Sequence, residues 1–159
     1  MAIQTITLES IVKKWRDAIK NSTAISAFCT TKYGKALSLF VGVNGKNPPN
    51  TDNCPMIIIF PGNKVEGLGE PEYQYMISVG WSILQPSVTV ANGVSETTGT
   101  YETDELGQLI YEAIAEASLD YPITHIEYSI ETNEFFPQFP GRIDAIITVP
   151  VAFGANLTY

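Results

Sequence analysis

Apolar residues recur at three- and four-residue steps across Leu8–Lys20 (Leu8, Ile11, Val12, Trp15, Ala18, Ile19), the spacing that lines one stripe of an α-helix. Thr7 stands where an N-cap belongs, Glu9 falls in the first turn and Lys20 in the last, and both charges complement the helix dipole. Residues 35–43 alternate, with Leu37, Leu39, Val41 and Val43 on one side, and close at Asn44-Gly45, so they read as a strand. After loop material at 46–55, the run MIIIF at 56–60 lies between Pro55 and Pro61-Gly62 and predicts a short strand buried on both faces. Residues 73–84 give the longest strand, with Tyr73, Tyr75, Ile77, Val79, Trp81 and Ile83 inward and Gln74, Ser78 and Ser82 outward.

Residues 85–103 are rich in Ser, Thr, Gly and Asn and predict a structureless projecting arm. A second helix follows at 104–118, with Leu106, Leu109, Ile110, Ala113, Ile114 and Ala117 on its stripe and Asp104 and Glu105 in a favourable first turn. Two final strands are predicted at 123–131, with Ile126, Tyr128 and Ile130 inward, and at 142–153, with Ile143, Ala145, Ile147, Val149, Val151 and Phe153 inward. Pro150 cannot donate to a ladder, so the last strand should there be an edge or carry a bulge. The expected architecture is α+β in the order α-β-β-β-α-β-β: a mainly antiparallel sheet of about five strands with two helices on one face. One domain spanning 1–159 is expected, with long loops at 44–55 and 85–104.

Charge adds an asymmetry to this picture. Residues 1–64 hold eight basic side chains against three acids, and residues 65–159 hold one, Arg142, against fourteen, within a net charge of −8. If the two halves lie on different faces, copies of the chain should associate head to tail, since unlike patches steer association. Cys29 and Cys54 lack the spacing of a metal or redox pair and read as free or buried thiols. The chain runs from Met1 into an amphipathic segment without an apolar signal core, and no apolar run is long enough to span a bilayer, which predicts a cytoplasmic origin.

Reactive chemistry is sparse. His125 falls with Glu127, Ser129 and Glu131 on the outward side of its strand, and the chain has no other histidine with which to build a His-rich metal site. The stretch from Gly62 to Gly67 follows a strand as a phosphate loop would, but it lacks the Gly-Lys-Ser/Thr ending and reads as a turn between strands. Asp104 and Glu105 are adjacent on a helix, so they diverge and cannot flank one glycosidic bond. A pI near 4.5 leaves only the first helix, with Lys13, Lys14, Arg16 and Lys20, as a basic patch, which argues against specific nucleic-acid binding. No catalytic, cofactor-binding or metal-ligating residue is expected. In the connection EFFPQFPGR (134–142), Phe135, Phe136 and Phe139 stand among Pro137, Pro140 and Gly141. Such aromatics either fold back as a satellite core or form a contact patch. The candidate interface residues are Phe135, Phe136, Phe139 and Arg142, together with Lys13, Lys14 and Arg16.

In its first helix, the strand at 56–60, the strand at 73–84, the helix around Leu106 to Ala117 and above all FFPQFPGRIDAIITVPVAFG, the chain resembles the tail terminator, or tail-completion, proteins of long-tailed bacteriophages and prophages. The likeness spans nearly the whole chain as a pattern of elements. It implies an α+β subunit of the virion tail, assembled in the bacterial cytoplasm, without cofactor or catalytic residues. Such a subunit forms a ring of its own copies, commonly a hexamer, that caps the tail tube, stops its growth and meets the head-tail connector. The acidic second half would suit a lumen through which DNA slides without sticking. The loops at 44–55 and 85–104 exceed those of the family's smaller members. The alternatives are a cytoplasmic monomeric module binding a peptide or small ligand and, behind it, a small hydrolase using His125 with Glu127 or Ser129.

Overall fold

The computed structural model describes residues 6–117 and 121–150. Helix α1 (Leu8–Lys20) forms as its pattern predicts. The Thr7 hydroxyl accepts from Ser10 N at 3.2 Å, and Ile11, Val12, Trp15 and Ile19 are buried. A second helix, α2 (Thr23–Tyr33), follows directly and was not expected. It buries only Ile25, Phe28 and Cys29, too short a stripe to announce a helix among Ser and Thr, although its ends carry plain signals. The Ser22 hydroxyl accepts from Ile25 N, and Gly34 closes it at φ 63°, a left-handed conformation that suits glycine.

The main sheet runs in the order β1 (Ser38–Val41), β2 (Met56–Val65), β3 (Glu72–Leu84), β7 (Gln138–Pro150) and β6 (Ile123–Ile130). The expected α+β class holds, but the sheet is mixed, because β1 and β2 are parallel while the other pairs are antiparallel. The 3₁₀ turn Thr51–Asn53 lies in the connection that makes the parallel step possible. The central β3–β7 pair is the longest, with thirteen consecutive partners from Glu72↔Pro150 to Leu84↔Gln138. All six inward residues expected of β3 are buried, as are Ile143, Ala145, Ile147 and Val149 of β7, while Val151 and Phe153 lie outside the described residues.

Residues 85–103 are not a structureless loop. They form a hairpin of β4 (Val88–Ala91) and β5 (Val94–Thr97), which among the described residues pair only with each other, and then enter α3 (Thr98–Glu116). Asn92 (φ 53°) and Gly93 (φ 76°) supply the left-handed turn the hairpin needs. Helix α3 thus starts six residues before the expected position, and Asp104 and Glu105 sit in its interior rather than its first turn. The reason lies in what the small residues touch. A Cβ on Gly99 would stand 2.2 Å from the Phe139 ring, and one on Gly107 would stand 2.4 Å from Trp81. Thr103, between them at the same helical spacing, accepts from Trp81 Nε1 through both its carbonyl (2.9 Å) and its hydroxyl (3.1 Å). Small residues at 99, 103 and 107 let the helix lie directly on two large rings, a pattern that in one dimension looks like loop composition.

The three helices share one core with the inward side of the sheet. Most of its other face is uncovered by any described element: Ile57 and Ile59 are fully buried on the helix side, whereas Phe60 on the other face is 38% exposed, and only at one end of that face are Met56 and Ser82, the latter expected outward, buried, where Gln138 donates to the Ser82 hydroxyl. Strand β2 also runs on through Val65, and the turn into β3 comes after it rather than at Gly62. Strand β1 is only four residues long, and Val41 and Val43, expected inward, are about half exposed at the sheet edge (49% and 45%). Tyr128 and Ile130 on the opposite edge strand are likewise exposed, at 39% and 36%. Strand β7 begins at Gln138 and lies inside the sheet between β3 and β6 along most of its length, and at Pro150, as expected, it is an edge on the β6 side. Pro150 is the last residue of β7 and lies past the end of its pairing with β6, and the bulge falls instead in β6 between Ile123 and His125.

Candidate interaction surface

The aromatic connection is the turn between β6 and β7, and backbone geometry shapes it. Glu131 N donates to Pro140 O at 2.9 Å, and Gln138 N donates to Phe135 O at 2.8 Å. The Glu131 carboxylate accepts from Asn133 N (2.8 Å) and Glu134 N (3.2 Å), and these backbone donors hold its pKa below the usual carboxylate range. Gln85 N donates to Pro137 O at 2.9 Å, which ties the turn to the end of β3 where the β4–β5 arm departs. On this frame Phe135 and Phe136 are 50% and 48% exposed, but Phe139 is fully buried. The Phe136 and Phe139 rings meet edge to face, with centroids 6.0 Å apart. The three aromatics of the loop therefore divide: Phe139 belongs to the core, while Phe135 and Phe136 stay exposed.

Other exposed apolar side chains gather at the same end of the sheet: Leu84 at the end of β3, Val88 and Val90 on β4, Val94 on β5, and Tyr101 in the first turns of α3. All but Leu84 fall in 85–103, whose composition reads as polar loop. A second missed surface is the uncovered sheet face. The register places Phe40 beside Ile58, Phe60 beside Ser78 and Met76 beside Ile146, a largely apolar strip across β1, β2 and β3. Toward β6 the same face turns polar. Arg142 Nε donates to Asp144 at 2.7 Å and its guanidinium reaches Ser78 Oγ at 3.2 Å, while Ser78 also donates to Asp144.

The remaining candidates, Lys13, Lys14 and Arg16, lie on α1, away from both surfaces, so the seven expected residues are not brought together. Lys13 pairs with Glu9 at 2.5 Å and Arg16 with Asp17 at 2.9 Å, and Lys14 is exposed on the same helix. Exposed pairs of this kind contribute ~1 kcal/mol or less each. Helix α1 packs beside α3, whose exposed Asp104, Glu105, Glu112 and Glu116 carry the opposite sign, so the basic and acidic helices adjoin in one layer. The sheet edges are separated instead: Lys35 precedes β1, while β6 carries Glu127 and leads to Glu131.

A cleft of about 420 Å³ opens between α2, the 51–55 segment and the end of β3, lined by Lys32, Tyr33, Lys35, Asp52, Cys54 and Gln85. Behind it, buried Glu102 accepts from Tyr33 Oη (2.8 Å) and Gln85 Nε2 (3.0 Å), and burial together with this carboxylate raises the Tyr33 pKa. Cys29 and Cys54 are both free and buried. Burial pushes the Cys29 thiol up to about 11 and raises that of Cys54, so neither is poised as a thiolate at neutral pH. His125 is exposed, with Nε2 3.5 Å from Glu127. Among the described residues no three His, Cys, Asp or Glu side chains are placed to hold a metal, and no helix is long and apolar enough to cross a membrane. No protein-family model and no curated protein matches the chain.

Proposed function

We propose that the chain is a structural subunit of a long-tailed phage or prophage tail, forming a ring at the end of the tail tube, ending tube growth and meeting the head connector. The observation that carries this reading is the collection of exposed apolar side chains at one end of the sheet (Leu84, Val88, Val90, Tyr101, Phe135, Phe136). Apolar anchors on an ordered frame favour protein contact, because little side-chain and backbone freedom remains to be lost on docking. The oppositely charged sheet edges favour a head-to-tail repeat, the contact type that closes into rings. Within such a ring an acidic lumen repels the phosphate backbone and lets DNA pass. That part requires the second-half acids to face inward, and a ring with a basic or neutral lumen removes it.

The cleft beside Lys32 and Lys35 favours a second reading, a monomer that holds a small ligand or peptide there. Light scattering of the purified chain, alone and after addition of tail tubes, together with electron microscopy of the tubes, separates the two. The ring reading expects a closed assembly of copies on one tube end. A chain that stays monomeric in both conditions and leaves tube ends bare sinks it.

A further inference from the structure

The projecting arm and the β1 edge have complementary unmet needs. Among the described residues, strands β4 and β5 pair only with each other, and a two-stranded hairpin standing alone in water is marginal at best. Alternation puts Val88 and Val90 on one side of β4, and they are 47% and 75% exposed. Across the sheet, Val41 is in register with fully buried Ile59 and so faces the helix-covered side. It is nevertheless half exposed, because no strand among the described residues lies beyond β1. Ser38 N and Gly42 N donate to Pro55 O (3.0 Å) and Ile59 O (2.9 Å) of the β2 side. The alternation of a parallel ladder therefore turns the backbone groups of Leu39 and Val41 toward the open side.

We infer that β4 of one copy adds as a strand to β1 of a second copy. Each strand is four residues long, so the ladders match in length. Val88 and Val90 would extend the apolar side formed by Leu39 and Val41, completing burial that β1 lacks within its own chain. Charge selects this edge over β6. Residues 35–46 hold Lys35 and Lys46 and no acid, whereas β6 holds Glu127 and runs on to Glu131 and Glu134, which would oppose Glu96 of the arm. The contact joins different surfaces of the two copies, so it repeats from subunit to subunit. It deepens the ring reading and rests on it for closure.

The test mixes two single variants, Val90→Cys and Val41→Cys, under mild oxidation in assembly conditions, with Leu68→Cys replacing Val41→Cys as the control. Cys29 and Cys54 are buried and do not compete, and Leu68 is 69% exposed in the β2–β3 turn. Docking raises the local thiol concentration, so the mixed pair should give at least about tenfold more cross-linked dimer than the control pair. Hydrogen exchange of the unmodified chain supplies a second measurement, in which the Leu39 and Val41 amides slow on assembly. Equal cross-linking and unchanged exchange in a wild-type chain that assembles would overturn the arm contact and leave the ring standing. The same results in a chain that remains monomeric beside tail tubes overturn both.

Discussion

Replacing Phe139 by Ala should destabilise the protein far more than the same loop's other aromatics would, and should reverse the sign of a second substitution on α3. Phe139 is fully buried, so its truncation removes a whole ring from the core and costs about 3–5 kcal/mol. In a chain of this size that lowers the melting temperature by about 6–20 °C, at roughly 2–4 °C per kcal/mol. Phe135, half exposed, should lose about 1 kcal/mol or less on replacement by Ser. Gly99 tests the contact directly, because its added Cβ would stand 2.2 Å from the Phe139 ring. Gly99→Ala therefore incurs an overpacking cost of about 1–3 kcal/mol, offset by about 1 kcal/mol of helix propensity. With Phe139→Ala in place the clash disappears, and Gly99→Ala should become stabilising by up to about 1 kcal/mol, a coupling of about 1–3 kcal/mol in the double-mutant cycle. Urea unfolding of the wild type, the two single variants, their double variant and Phe135→Ser measures these free energies, and thermal unfolding measures the melting temperature. A Phe139→Ala loss under about 1 kcal/mol, or a Gly99→Ala effect equal in both backgrounds, would refute the placement of α3 on that ring.

The double replacement of Phe135 and Phe136 by Ser should leave unfolding cooperative while weakening assembly, read by light scattering; loss of cooperativity would put both rings in the core. The depressed pKa of Glu131 means that its contribution is present above the unfolded carboxylate pKa and is lost as pH falls through the folded one. As pH falls through that lowered pKa the Asn133 and Glu134 amides should therefore lose protection relative to their intrinsic exchange rates, and Glu131→Gln should show the lower protection already at neutral pH. Protection factors that do not change with pH would count against that turn. Cys29 and Cys54, buried and with raised thiol pKa values, should react with a thiol reagent orders of magnitude more slowly in the native chain than in urea, and fast native labelling of both would contradict their placement.

Legibility followed the kind of signal each element carried. In α1, Thr7 and the stripe through Trp15 and Ile19 state both the boundary and the buried side, and β3 states its inward set from Tyr73 to Ile83 by strict alternation. These elements meet the core along most of their length, so their period alone reports burial. At the candidate surface, the three phenylalanines near the β6–β7 turn were visible as a cluster, but only a local distinction divides them. The turn frame exposes Phe135 and Phe136, whereas Phe139 already lies within β7 under Gly99.

What the sequence determined by itself was the α+β class and the buried sides of α1, β3 and β7. The tertiary structure alone decided which strands became edges, and so left Val41, Tyr128 and Ile130 exposed on a side their pattern marks as buried. It also decided that β1 runs parallel to β2, that the sheet is covered on one face, and that Gly99, Thr103 and Gly107 belong to a closely seated helix rather than a loop. The physical reason is that periodicity tells which side of an element is apolar, whereas burial depends on what another element, distant in sequence, places against that side.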